Sequence, residues 1–214
     1  MPFDPELMPG FLLAVLLIEL TPGPNMGYLA VVGTRWGRRA GLTTVAGVTC
    51  GLGFYMLLAV AGLGQAVLHA PLIYAALRWA GVVYLLWLAT DTWRGGAETS
   101  PGNALTTPDP RRLFARGLVA NLLNPKAVVF YIALLPGFTN PARGNPAAQA
   151  LTLGMIHIAV SVTVHCAIVL AAGSARPAIT GWTAGSRRRR LDRGFALTLA
   201  AIALWLAWET SRSA

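Results

Sequence analysis

Six blocks of about 18 to 25 predominantly apolar residues recur along this chain of 214 residues, each long enough to cross a hydrocarbon core of ~30 Å as a helix. They are predicted at about 7–31, 42–64, 72–93, 113–136, 147–173 and 194–209. Lipid offers no hydrogen-bond partner to a peptide group, so a chain crossing it must satisfy its backbone internally, as a helix does. Composition agrees: 55% of residues are hydrophobic and only 12% charged, against ~25% charged in an average soluble domain. An ordinary soluble enzyme is excluded. The expected fold is an all-α integral membrane protein with six transmembrane helices in a single domain, residues 1–214.

The formal charge of +9 would suit a nucleic-acid binder, but its distribution sets topology instead. Loops one, three and five hold thirteen basic residues: Arg35, Arg38 and Arg39; Arg94, Arg111, Arg112 and Arg116; Arg176, Arg187, Arg188, Arg189, Arg190 and Arg193. The opposite side holds two, Arg143 and Arg212. The positive-inside rule then puts the rich loops in the cytoplasm and both termini outside. No basic residue precedes Arg35, and Asp4 and Glu6 have the wrong sign for a cleavable signal, so the first block is expected to remain as a helix. The Arg187 to Arg190 run fixes topology and meets anionic lipid. No nucleic-acid partner is expected.

The polar stretch from Arg94 to Arg112, rich in glycine and proline, reads as a cytoplasmic linker between two three-helix halves, about 7–93 and 113–209. A half with an odd number of spans makes its successor enter in the opposite sense, so the halves would be inverted repeats. Transporters with such repeats commonly place a solute site between them near the midplane. Both halves open on an interrupted helix. In span one Thr21, Pro22, Gly23, Pro24 and Asn25 interrupt the block, with two prolines unable to donate and a glycine to let the chain turn. In span four Asn121, Asn124, Pro125 and Lys126 repeat the theme. Broken backbone at membrane depth persists only where protein or a watery cavity satisfies it. The freed groups would be ligands for the ammonium and carboxylate of a small zwitterion, so these nine residues are the candidate substrate site.

Lys126 is the one lysine beside sixteen arginines, and it falls inside a span. An unpaired charge there costs at least ~2.5 to 3.5 kcal/mol. Glu19, the carbonyls freed by the breaks, a substrate carboxylate or snorkelling to the interface could each compensate it. Glu19, the most deeply placed carboxylate, would take and release a proton or form an ion pair with Lys126 or Arg78. In span five His157, Ser161 and His165 recur every four residues and share one helical face. They would form a proton path or bond a neighbouring helix. Gly47, Gly51 and Gly53 of span two form a small-residue face for close helix packing. There is no Walker A run, HExxH, GxSxG or dinucleotide fingerprint, so no enzyme and no cofactor or metal is expected, and uphill transport would draw on an ion gradient.

Taken together, Thr21, Pro22, Gly23, Pro24 and Asn25, then Gly37, Arg38, Arg39, Ala40, Gly41, Gly47 and Gly51, then Arg78, Trp79, Ala80, Gly81, Tyr84 and Leu85, and Asn121, Asn124, Pro125 and Lys126 match a known pattern. The chain resembles the lysine exporter (LysE/RhtB) family, bacterial six-helix exporters of amino acids and related metabolites, nearly end to end. The resemblance implies efflux of such a solute across the bacterial plasma membrane by proton antiport, through a site where the broken first and fourth helices meet. The chain departs from the family in Ser161, aligned with a frequent aspartate, in Ile168, aligned with a tyrosine, and in Ala89 and Ala196, aligned with glycines. Glu19, where relatives are apolar, would substitute for that aspartate.

Two other functions stay open on the sequence. Cys50 and Cys166 lie in spans that inverted symmetry makes equivalent, and the superfamily resembles membrane thiol relays. A non-transporting accessory subunit is the third. Self-association and the identity of the solute are not encoded in any motif.

Overall fold

A computed structural model describes residues 3–21, 23–62, 71–93 and 108–180, with single turns and isolated residues between 193 and 211. Every regular element among them is helical. Helix α1 spans Met8–Leu20, α2 Pro24–Trp36, α3 Arg38–Val60, α4 Pro71–Trp93, α5 Pro110–Leu122 and α6 Pro125–Val128. A π-helical turn, Val129–Leu134, and 3-10 turns at Leu135–Phe138 and Pro141–Arg143 lead into α7, Pro146–Thr180. Pro22, most of the linker (94–107) and the Arg187 to Arg190 run lie outside the described residues, as do the side chains of Arg78, Pro125 and Arg176.

The distribution of residue types is inverted relative to a soluble domain. Leu12, Leu13, Leu16, Leu17 and Leu20 of α1 and Phe54 and Leu57 of α3 are exposed, while Glu19, Asn25, Asn121, Asn124, His157, Ser161 and His165 are buried. A surface of leucine around a polar interior is what a lipid solvent selects. Helices α3 and α7 are each long and apolar enough to cross a membrane, and the pairs α1 with α2 and α5 with the segment Lys126–Phe138 qualify as bent spans.

Both expected breaks are present. The axis bends by 51° between α1 and α2 and by 60° between α5 and the segment that follows it. Side chains from elsewhere cap carbonyls at each break. Lys126 Nζ donates to Thr21 O at 2.8 Å, and the Tyr55 hydroxyl of α3 donates to Leu122 O. Gly23, expected to supply a turn, is instead extended (φ −147°, ψ 173°), a conformation open to any residue; the direction changes because α2 restarts at a proline that needs no donor.

Boundaries differ from the hydropathy reading where arginines flank a span. The expected first loop, 32–41, is a one-residue corner at Gly37 with φ 86°, which glycine adopts without steric penalty. Helices α2 and α3 run through Arg35, Arg38 and Arg39 because long cationic side chains reach an interface from inside a helix. Likewise α5 starts at Pro110, shortening the expected linker. Its start repeats a local device: Asp109, Asn124, Asn140 and Asn145 each precede a proline, and each side chain accepts from the amide two residues on.

Close approach fixes how the spans sit. A Cβ on Gly47 would lie 2.1 Å from Phe114 O, one on Gly117 2.3 Å from Thr44 O, and one on Gly51 2.6 Å from Asn121 Oδ1, so α3 and α5 pack backbone to backbone and run parallel. Gly53, expected in the same face, meets open space. Gly154 lies against Met56, Gly41 against Val169 and Gly173 against Arg38, making α7 antiparallel to α3. At the Arg38 end, its guanidinium donates to Ser174 Oγ at 2.7 Å. At the other end the N-terminal segment clasps the turn before α7: Asn140 Nδ2 donates to Asp4 Oδ2 at 2.8 Å, and Arg143 meets Glu6 at 3.0 Å. The Asn140 hydrogen bond, then the Glu6 amide, with the Arg143 charge beyond, hold the Asp4 carboxyl below the usual aspartate range.

Candidate functional site

Where the two breaks face each other, a cavity is lined by Glu19, Gly23, Asn25, Asn121, Asn124, Lys126, His157, Ser161 and His165, with Ile18, Met26, Leu52 and Ala127 as its apolar walls. Residues up to 147 positions apart in sequence, from α1, α2, α3, α5, α6 and α7, are thus brought to one place. The space in which a water can be centred is about 20 Å³, room for about one water. The site is therefore closed to solute in this conformation.

On the α7 side, His157 Nε2 lies 3.2 Å from Glu19 Oε1, and His157 Nδ1 lies 2.9 Å from the Tyr131 hydroxyl. Phe130 stacks on the imidazole with centroids 3.8 Å apart, fixing the ring plane. His165 Nδ1 is 3.3 Å from Ser161 Oγ, while its Nε2 stands 4.0 Å from Glu19 Oε2, beyond hydrogen-bond length. Glu19, His157 and His165 are at most 5% exposed. A carboxyl and an imidazole in contact can share one proton and present either a neutral pair or an ion pair, so both burial costs are reduced together.

On the side of the breaks, the one lysine bonds a freed carbonyl, Thr21 O, and makes no direct contact with Glu19, whose charge acts on it from across the cavity. The Lys126 backbone amide also donates to Asn124 Oδ1 at 3.1 Å, capping α6. Asn121, fully buried, has neither amide atom hydrogen-bonded, and Asn25 Oδ1 and Glu19 Oε2 are likewise without partners. Four orphaned polar atoms around one small cavity are a high concentration for a native interior, where such groups are normally satisfied.

The other sequence candidates fall at the edge. The Thr21 side chain is exposed and donates to Leu17 O at 2.6 Å, so this residue contributes its carbonyl. Pro24 is the buried first residue of α2. Cys50 is exposed and Cys166 packs on Leu29, Val45 and Val169; both are free thiols outside the cavity lining. Among the described residues no three His, Cys, Asp or Glu side chains group as metal ligands. Sequence reasoning missed Tyr131, whose partner lies 26 residues away, and read Gly51 for helix packing alone, whereas it lies against the Asn121 side chain. The unusual π-turn had no readable sequence signal; the phenol was readable only as one aromatic among many.

Residues 16–210 match the family described as LysE type translocator. A homoserine/homoserine lactone efflux protein of Salmonella typhimurium is 32% identical over 186 residues, covering 86% of this chain and 88% of its own. A leucine efflux protein of Klebsiella pneumoniae is 30% identical over 151 residues, 68% of this chain and 71% of its own. An uncharacterized membrane protein of Vibrio cholerae is 31% identical over 157 residues, 72% and 75%. No solved structure matches.

Proposed function

Since the chain belongs to the LysE translocator family, a membrane translocator and not an enzyme, we propose that it exports an amino acid or a close derivative across the bacterial inner membrane by proton antiport. The observation that carries this reading is the set of unpartnered atoms in the cavity. Glu19 Oε2, Asn25 Oδ1 and Asn121 Oδ1 are three acceptors, and Asn121 Nδ2 is a donor beside Lys126, whose ammonium has hydrogens to spare after bonding Thr21 O. An α-ammonium brings three donors and a carboxylate brings acceptors. The zwitterion satisfies both sets at once. The names of relatives, homoserine, homoserine lactone and leucine efflux proteins, agree with a small amino-bearing solute.

In this reading Thr21, Pro22, Gly23, Pro24, Asn25, Asn121, Asn124, Pro125 and Lys126 hold the solute, while Glu19 with His157, Ser161 and His165 handles the proton. Bound ammonium and bound proton compete for Glu19, which is the requirement for antiport: each leaves when the other arrives. Residues 1–214 form one domain of six spans in two inverted halves joined by a linker that ends before α5 at Pro110, with both termini outside. The parallel course of α3 and α5 and the antiparallel course of α7 support this alternation, and so does the excess of arginine in loops one, three and five. Anionic lipid is the expected partner of those loops.

The test is uptake of a panel of labelled amino acids into everted vesicles containing the chain, with the interior made acid. Accumulation that collapses with the gradient is expected for one group of solutes. Equal uptake in vesicles with and without the chain, for every amino acid and lactone tried, would overturn the reading.

A further inference from the structure

Between the α3 terminus and the start of α7 lies a second, larger cavity of about 400 Å³, bordered by Val60, Gly62, Thr139, Asn145 and Ala150. It sits at the end of the molecule marked by the Asp4 to Asn140 clasp. One of its walls is Tyr131. Tyr131 is fully buried, yet its hydroxyl is 2.9 Å from His157 Nδ1 on the side of the central site. A single phenol therefore stands between the Glu19–His157 pair and the vestibule.

The backbone that carries it is unusual. Tyr131 lies in the π-helical turn Val129–Leu134, a rare geometry that inserts one residue into a helix and is frequent at functional sites. The turn sets Phe130 against the face of the His157 ring and Tyr131 against its edge, with centroids 3.8 Å and 5.2 Å away. The hydroxyl has a second acceptor in Gly154 O at 3.4 Å, so it can rotate between two arrangements without losing its bonds entirely.

We propose that Tyr131 is a gating and proton-positioning residue, through whose hydroxyl the Glu19–His157 pair exchanges its proton with the vestibule while the ring keeps solute from following. The inference rests on the export reading for its physiological meaning. With Glu19 protonated and His157 carrying hydrogen on Nδ1, Glu19 passes its proton to Nε2. Nδ1 passes its hydrogen to the Tyr131 oxygen, and Tyr131, once its side chain swings to bring the buried hydroxyl from Gly154 O to the vestibule, passes its own to water there. Three bonds to hydrogen break and three form, one proton has left Glu19, the tyrosine is neutral at both ends of the step, and the imidazole finishes as the Nε2–H tautomer. Among the described residues, the groups facing this pair are His165 and Ser161 from α7, Lys126 from α6, and Asn25 and Asn121. None of these bonds the second nitrogen of His157, which leaves Tyr131 as its contact.

The experiment compares the wild-type chain with Tyr131→Phe in proteoliposomes. Counterflow, in which labelled amino acid exchanges for unlabelled at equal pH, needs no net proton movement; accumulation driven by a proton gradient does. Tyr131→Phe is expected to keep counterflow and to slow gradient-driven accumulation by about tenfold or more. Equal loss of both, or loss of neither, would overturn the proposal. A second measurement needs no solute: the infrared carboxyl band of Glu19, assigned by its disappearance in Glu19→Gln, should follow a pH jump about tenfold more slowly in Tyr131→Phe. Unchanged kinetics of that band would also overturn it. If the wild type exchanges no amino acid, the export reading fails, and the infrared band alone decides the role of Tyr131.

Discussion

Lys126 Nζ lies 2.8 Å from the carbonyl oxygen of Thr21, so the chain's single lysine, standing at the break after α5, closes the break after α1. The first break is thereby held from the second, while the second is held by the Tyr55 hydroxyl of α3 on Leu122 O, and the cavity lies where the two breaks face each other.

Lys126→Ala is expected to abolish transport and to lower stability together. It leaves Thr21 O without its partner at membrane depth, a loss of about 1–3 kcal/mol. Thermal unfolding in detergent reads the second effect, and a variant as stable as wild type would contradict the capping role.

Glu19→Gln keeps the shape of the side chain and removes its proton chemistry. His157 Nε2 can still bond the amide, so the fold is expected to persist. Gradient-driven accumulation is expected to fall by about 10²-fold, and the dependence of efflux on pH to flatten. Transport assayed from pH 6 to 8 checks this.

Three of the four glycines of α3, Gly47, Gly51 and Gly53, should separate by site. Gly47→Ala drives a methyl into the backbone at Phe114 O and is expected to destabilise by about 1–3 kcal/mol. Gly51→Ala meets the Asn121 side chain, which can turn, so its main effect is expected on apparent affinity for solute, about tenfold. Gly53→Ala faces open space and should be neutral in both. Melting curves and concentration dependence of counterflow, measured on all three, test the ordering.

The Asp4 clasp should respond to acid. Its carboxyl titrates below the usual aspartate range in the folded protein, so the folded state binds this proton less readily than the unfolded chain. The stabilisation is complete above the unfolded value and is lost as pH falls through the lowered folded value. Hydrogen exchange at Thr139 to Asn145 is expected to speed up, beyond its intrinsic pH dependence, only below about pH 4. Asp4→Asn should show the faster exchange at neutral pH as well.

Much of this was legible in the chain. The two proline interruptions, the polar stripe on span five and the isolated Glu19 and Lys126 are written in residue types whose burial in lipid is costly. The structure does gather all of them around one cavity except Pro22 and the side chain of Pro125, which fall outside what is described there, and Thr21 and Pro24 at its margin. What was misread was local: span ends ran past their arginines, because hydropathy marks where apolar residues stop and not where a helix does. The Asx-Pro pairs at 109, 124, 140 and 145 were present as helix starts, and weighing them would have placed those ends correctly.

Lipid as solvent is a strong constraint, and it acts residue by residue, which is why the amino-acid sequence by itself determined the helical class, the breaks and the set of polar groups that had to be buried together. Pairing is a different matter. That Lys126 meets Thr21 O and not Glu19, that Glu19 meets His157, and that Tyr131 occupies the far nitrogen of that imidazole were decided by tertiary structure alone. Each of those contacts depends on crossings set by glycines on α3, α5 and α7 and on one π-turn. A shift of a single residue in any of these would rotate the side chain away by about 100°.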